Sequence, residues 1–147
     1  MSAATISGGG AAVDERALDR AEGELGVELP AALRDLYLRS NGGRPSPNIF
    51  VDAHGDDYEV HSFKSFGDAG YSGVSIEDSH RSLVAKGLLP KELIPFAMDS
   101  GGNFYGADTS GAVFFVAMDV PGAVPVRIAE ALEEFLDGLV SAEEAYG

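Results

Sequence analysis

The sequence contains no cysteine. That excludes a disulfide framework, a thiolate metal site and a cysteine nucleophile, and it fits a reducing compartment. No run approaches the ~20 apolar residues that a membrane-spanning helix requires. The start, MSAATISGGGAA, lacks the basic and apolar regions of a secretory signal, so a soluble cytoplasmic protein is expected. Basic side chains are scarce, with 10 Lys and Arg against 24 Asp and Glu and a formal net charge of -14. Solubility asks for a net charge of only about 2 to 8 in magnitude. The excess argues against direct binding of nucleic acid or of an anionic membrane, and for a basic partner.

What is present suits one domain. A chain of 147 residues with 45% hydrophobic content buries roughly 70% of the surface its unfolded form exposes. Residues 1–12 read as a flexible tail and 13–147 as a single domain. The domain is organised around Leu93 to Asp119, where the apolar runs Ile94 to Met98, Asn103 to Ala107 and Ala112 to Met118 are separated by Asp99-Ser100-Gly101-Gly102 and Asp108-Thr109-Ser110-Gly111. Each separator opens on an aspartate that can bond the backbone ahead of it and closes on a glycine, which predicts an antiparallel meander. In the third run Val113 and Phe115 face one way and Phe114 and Val116 the other, as in an inner strand covered on both faces.

The remaining elements follow from periodicity and caps. Val13, Leu18, Ala21 and Leu25 predict a first helix stopped at Gly26, and Pro30 opens a second, with Leu33, Leu36 and Tyr37 on one face and Asn41-Gly42-Gly43 at its end. Arg44 to Asn48 reads as a loop. Ile49 to Asp52 and Tyr58 to Phe63 read as a hairpin, Asp68 to Gly73 as a flexible loop presenting Tyr71, and Ser75 with Asp78 as the cap of a third helix ending near Gly87. Ile128, Leu132, Phe135, Leu136, Leu139 and Val140 form a stripe that predicts one last helix packed on the sheet. The expected fold class is α+β: a mainly antiparallel sheet with helices from the N-terminal, middle and C-terminal parts of the chain.

Leu29-Pro30, Asn41-Gly42-Gly43, Gly101-Gly102-Asn103, Gly111-Ala112-Val113 and Phe135-Leu136 occur here in one order. In that order and spacing the chain resembles the SUKH superfamily, which groups fungal cell-wall-assembly regulators with bacterial immunity proteins of polymorphic toxin systems. The resemblance spans Val13 to Val140. It implies an α+β domain without a known catalytic centre or cofactor, and, for the bacterial members, binding and neutralisation of a toxin domain. Tryptophan, frequent near the middle strands of such proteins, is absent here, and Phe and Tyr are expected to fill its volume.

The residues themselves argue for recognition rather than chemistry. His54, Asp56, Asp57, Glu59 and His61 are ligand types a divalent metal accepts, but no His-Glu-x-x-His motif is present, and a carboxylate cluster is more often a solvated tip. His80 on the apolar stripe of the third helix reads as a hydrogen-bonded buried histidine. No Gly-x-Ser-x-Gly elbow, calcium loop or phosphate-binding loop is found. The candidate partner surface is therefore Asp52, Asp56, Asp57 and Glu59, with Tyr71 and Tyr105 as apolar anchors. A toxin domain of basic character is the expected partner, and a scaffold or regulatory module is the rival reading. Reversing Asp56, Asp57 and Glu59 is expected to slow association without disturbing folding.

Overall fold

A computed structural model describes residues 4–67, 73–120, 122 and 124–147. In chain order the elements are β1 (Thr5–Ser7), α1 (Glu15–Leu25), α2 (Ala31–Arg39), β2 (Arg44–Ser46), β3 (Ile49–Val51), β4 (Asp57–Glu59), β5 (Ser62–Phe63) and α3 (Ile76–Ala85). They continue with β6 (Ile94–Met98), β7 (Phe104–Ala107), β8 (Val113–Val116), β9 (Val126–Ala129), α4 (Leu132–Asp137), β10 (Leu139–Val140) and α5 (Ala142–Tyr146). All strand pairs are antiparallel, in sheets of order β1-β2, β10-β3-β4 and β5-β6-β7-β8-β9. The fold is α+β.

The expected meander is β6-β7-β8. Its two turns are closed by their aspartates: Asp99 Oδ1 accepts from the amides of Gly101 and Asn103, and Asp108 Oδ1 from those of Ser110 and Ala112. Pro95, which has no N–H to give a ladder, lies where the β6-β7 register shifts. Strand β8 has β7 on one side and β9 on the other. Val113 and Phe115 join the main core, while Phe114 and Val116 join a smaller cluster with Leu83, Val84, Leu89 and Leu93 on the opposite face. The two phenylalanines stay half-buried, so the second face is only partly covered.

Helix α3 begins as its cap predicts, with Ser75 accepting from the Asp78 amide, and α1 begins after Asp14, whose side chain accepts from the Ala17 amide. Leu18, Ala21, Leu25, Leu33, Leu36 and Tyr37 carry α1 and α2 into the main core. His80 is buried, with Nε2 2.9 Å from the Lys91 carbonyl.

Four expectations need correction. Residues 1–12 are not wholly a tail, and Arg44 to Asn48 is not wholly a loop, because Thr5–Ser7 and Arg44–Ser46 pair as β1-β2. Tyr58 to Phe63 is not one strand: the chain leaves the small sheet after Glu59, where the Val60 amide bonds Asn48 and the His61 amide bonds Met98, and enters the large sheet as β5. The final stripe is not one helix. Ile128 belongs to β9, which supplies β8 with its second neighbour, Leu132 and Phe135 to α4, and Leu139 to β10. Residues 68–72, including Tyr71, lie outside the described residues.

Asn41-Gly42-Gly43 also does more than end a helix, since α2 stops at Arg39 with Ser40 as its cap. The buried Asn41 side chain donates to the carbonyls of Ala11 and Phe66, at 2.8 and 2.9 Å, and accepts from the Phe66 amide at 2.8 Å. Gly43 exchanges two backbone bonds with Phe63. The triplet is the corner at which the N-terminal segment, β2 and β5 meet. Beside it the buried Tyr37 hydroxyl donates to the carbonyls of Lys64 and Phe96, tying α2 to the sheet.

Lys64 is itself buried, with Nζ 5.6 Å from the centroid of the Phe104 ring, and burial pulls its ammonium down from 10.5 to about 8. Below about pH 8 the group is charged in both folded and unfolded chains, and the cost of burying it is present in full. Between about 8 and 10.5 the unfolded chain holds a proton that the folded chain has lost, so stability rises with pH. Relative to Lys64→Met, the unmodified protein should therefore gain about 2 to 3 kcal/mol in urea unfolding between pH 7 and 10.5. A difference that stays constant over this window would show that Lys64 does not titrate as its burial demands.

Candidate functional site

The β3-β4 hairpin positions the acidic residues, and each carboxylate has its own local task. Asp52 builds the turn: its Oδ1 accepts from the amides of His54 and Asp56, both at 2.9 Å, while its backbone bonds Asp56 and Gly55. Asp56 is exposed beside the turn. The Asp57 Oδ2 accepts from the Tyr146 hydroxyl at 2.6 Å. The Glu59 carboxylate reaches the neighbouring β6-β7 turn, accepting from the Ser100 amide at 2.9 Å and the Ser100 hydroxyl at 2.5 Å. Asp99 closes that second turn, so the two turns stand side by side with five carboxylates on one surface.

The floor under this surface is aromatic. Tyr58 lies 6.5 Å from Tyr105 and 5.3 Å from Phe115 between ring centroids, and Tyr105 lies 5.6 Å from both Phe115 and Phe135. The Tyr105 hydroxyl donates to the Glu59 carbonyl at 2.6 Å. Burial, and then the charges of Asp99 and Glu59, push the Tyr105 phenol above its usual range. Burial also raises Tyr58, with the charges of Asp52 and Asp56 next. Among the described residues no lysine or arginine forms an ion pair with Asp52, Asp56, Asp57, Glu59 or Asp99. The surface continues into a cleft of about 120 Å³ where Asp52 and His54 meet Arg127, Glu130 and Glu134.

Asp52, Asp56, Asp57 and Glu59 are thus brought together as their sequence proximity requires. Tyr105 is a correction: it is 1% exposed, so it supports the surface from below and offers no ring to a partner. Tyr71 lies outside the described residues. His54 is exposed on the turn, whereas His61 is half-buried with Nδ1 3.3 Å from the Ser62 hydroxyl. Ser62 is 1% exposed, so the hydroxyl end of that contact is buried. Among the described residues no three His, Asp or Glu side chains are placed to hold a metal ion, and no helix is long and apolar enough to cross a membrane.

Three residues escaped sequence reasoning. Asp99 and Ser100 read only as turn formers. Tyr146 reaches Asp57 across 89 positions, a contact no local pattern reveals. The Ser141-Ala142-Glu143-Glu144 spacing of a capping box was the available signal for the helix that carries it.

The arrangement can accept hydrogen bonds and cationic groups, and it repels anions. In comparison with known proteins, the family model described as SMI1 / KNR4 family (SUKH-1) matches residues 12–138. No curated protein matches the chain. The matched span takes in both acidic turns and the meander, and leaves β10 and α5 outside it.

Proposed function

The chain belongs to the SMI1 / KNR4 family (SUKH-1), and from that premise we propose that it is a non-enzymatic, cytoplasmic immunity protein that binds a basic toxin domain and neutralises it by occlusion. The observation that carries this reading is the set of five carboxylates on adjoining turns without a paired cation among the described residues. The net charge of -14 supports it. A toxin whose site is built for phosphate, such as a nuclease, presents the complementary cationic surface. In this reading nucleic acid and membranes are not partners and no cofactor is involved.

Charge of this kind acts mainly on association, because its reach fades beyond the Debye length of ~8 Å at physiological salt. The hydrogen bonds decide which carboxylates test it. Asp52 and Glu59 hold backbone and side-chain donors, so replacing them disturbs the turns themselves. Asp56 and Asp57 are exposed on the hairpin, and the bond from the Tyr146 hydroxyl to Asp57 lies outside both turns, so replacing the pair leaves the turns in place. The double substitution Asp56→Lys and Asp57→Lys should slow association by about tenfold at low salt, with the two rates converging as salt rises. Equal rates for the two proteins at low salt would remove the hairpin from the proposal.

The partner itself is found by affinity capture from lysate of the source cells through a salt series. A single basic protein at near-equal stoichiometry, released by salt and toxic when expressed alone, is the expected result. Several acidic or neutral partners would instead favour a scaffold or regulatory module.

A further inference from the structure

Helix α5 contributes nothing to the core: none of its residues is buried. Five residues are far fewer than the ~12 to 15 an isolated helix needs in water, so its order must come from specific bonds. Ser141 and Glu144 close a reciprocal capping box, the Ser141 hydroxyl accepting from the Glu144 amide at 3.2 Å and the Glu144 carboxylate from the Ser141 amide at 3.1 Å. The Tyr146 hydroxyl then donates to Asp57 at 2.6 Å. These bonds hold the phenol end and leave the residue 63% exposed, which makes Tyr146 the one exposed aromatic among the described large apolar residues. Val51, opposite Asp57 in the ladder, is 37% exposed and adds an apolar neighbour.

We propose that Tyr146 is the aromatic anchor of the acidic surface, seating an arginine side chain of the partner on its ring with Asp57 as the counter-charge. The inference rests on the acidic surface being the one that meets a basic protein. A guanidinium is planar, stacks on an aromatic face and can at the same time donate to a carboxylate oxygen; an ammonium has no such plane. The Tyr146 hydroxyl engages Asp57 Oδ2, and Oδ1 has no hydrogen-bond partner among the described residues. Bond donation to Asp57 also raises the phenol above its usual range, so the anchor stays neutral and protonated through physiological pH. Tyr146 lies outside the span matched by the family model.

The test is fluorescence anisotropy of dye-labelled hexa-arginine and hexa-lysine against the full chain at low ionic strength. The unmodified protein should prefer hexa-arginine by about threefold to fivefold. Tyr146→Ala should bring the two peptides within twofold, both still bound through the carboxylates, while Tyr146→Phe, which keeps the ring, should keep a preference. No preference in the unmodified protein, or one that survives Tyr146→Ala, overturns the anchor. If the peptides bind the Asp56→Lys, Asp57→Lys protein as tightly as the unmodified one, the acidic surface reading falls and the anchor with it. If they bind that protein more weakly but Tyr146→Ala changes nothing, the anchor alone falls.

Discussion

Gly42→Ala should cost more than about 4 kcal/mol of folding stability, enough to unfold much of a domain whose total is typically about 5 to 15 kcal/mol. Gly42 sits at φ 85, where an added Cβ would lie 2.6 Å from the Ser65 hydroxyl oxygen, 2.7 Å from the Lys64 carbonyl and 2.8 Å from the Phe63 carbonyl. Two of these three are backbone and cannot turn away. The left-handed conformation alone costs a residue with a Cβ roughly 1 to 2 kcal/mol. Forcing β5 outward adds about 1 to 3 kcal/mol of overpacking. It also stretches the Asn41 bonds to Phe66 and the Gly43 ladder to Phe63, so buried polar groups lose partners at about 1 to 3 kcal/mol each. Gly55→Ala separates the contributions, because Gly55 has the same φ of 85 and nothing within 4 Å of the added carbon. It should lose only about 1 kcal/mol in urea unfolding. Equal losses in the two variants would show that crowding at the corner is not what fixes glycine there.

This corner marks where sequence reasoning stops. Asn41-Gly42-Gly43 reads locally as the end of a helix, and only the approach of β5, some 20 residues on, shows why two glycines are needed. Elements set by neighbouring residues were legible: Ser75 starts its helix, and Asp99 and Asp108 close the meander turns. Elements set by distant partners were not. Thr5-Ile6-Ser7 becomes a strand because Arg44–Ser46 lies alongside it. The spacing of Ile128, Leu132, Phe135 and Leu139 satisfies a helix, but the same residues also serve a strand, a helix and a strand in succession. The unpaired edge of β8 decides between the two. The acidic surface divides in the same way: Asp52, Asp56, Asp57 and Glu59 were found because one hairpin holds them. Tyr105 was misplaced because β7 is covered on the face it occupies, and Tyr146 was missed because its partner is far along the chain.

Phe135→Ala should cost about 3 to 5 kcal/mol, with its largest local effect at the acidic hairpin. Phe135 is fully buried, and its ring lies 5.0 Å from Phe50 of β3, 5.9 Å from Phe96 of β6 and 5.6 Å from Tyr105 of β7. One side chain of α4 therefore bridges the small sheet and the large one. Phe50 stands opposite Tyr58 in the hairpin, and Tyr105 holds the Glu59 carbonyl. Removing the ring leaves both without their common neighbour. Urea unfolding gives the global loss, and Phe135→Leu, which keeps most of the volume, should lose less than about 1.5 kcal/mol. Native-state amide exchange gives the local one: protection should fall further at Phe50 and Tyr58 than at Leu18 in α1, a helix that packs on α2 and α3. An equal fall at all three sites would mean that the hairpin is held by its turn bonds, Asp52 to His54 and Glu59 to Ser100, and that the aromatic floor serves the core alone. A selective fall would make the acidic surface as stiff as the aromatic core beneath it, which is what a preformed docking surface requires.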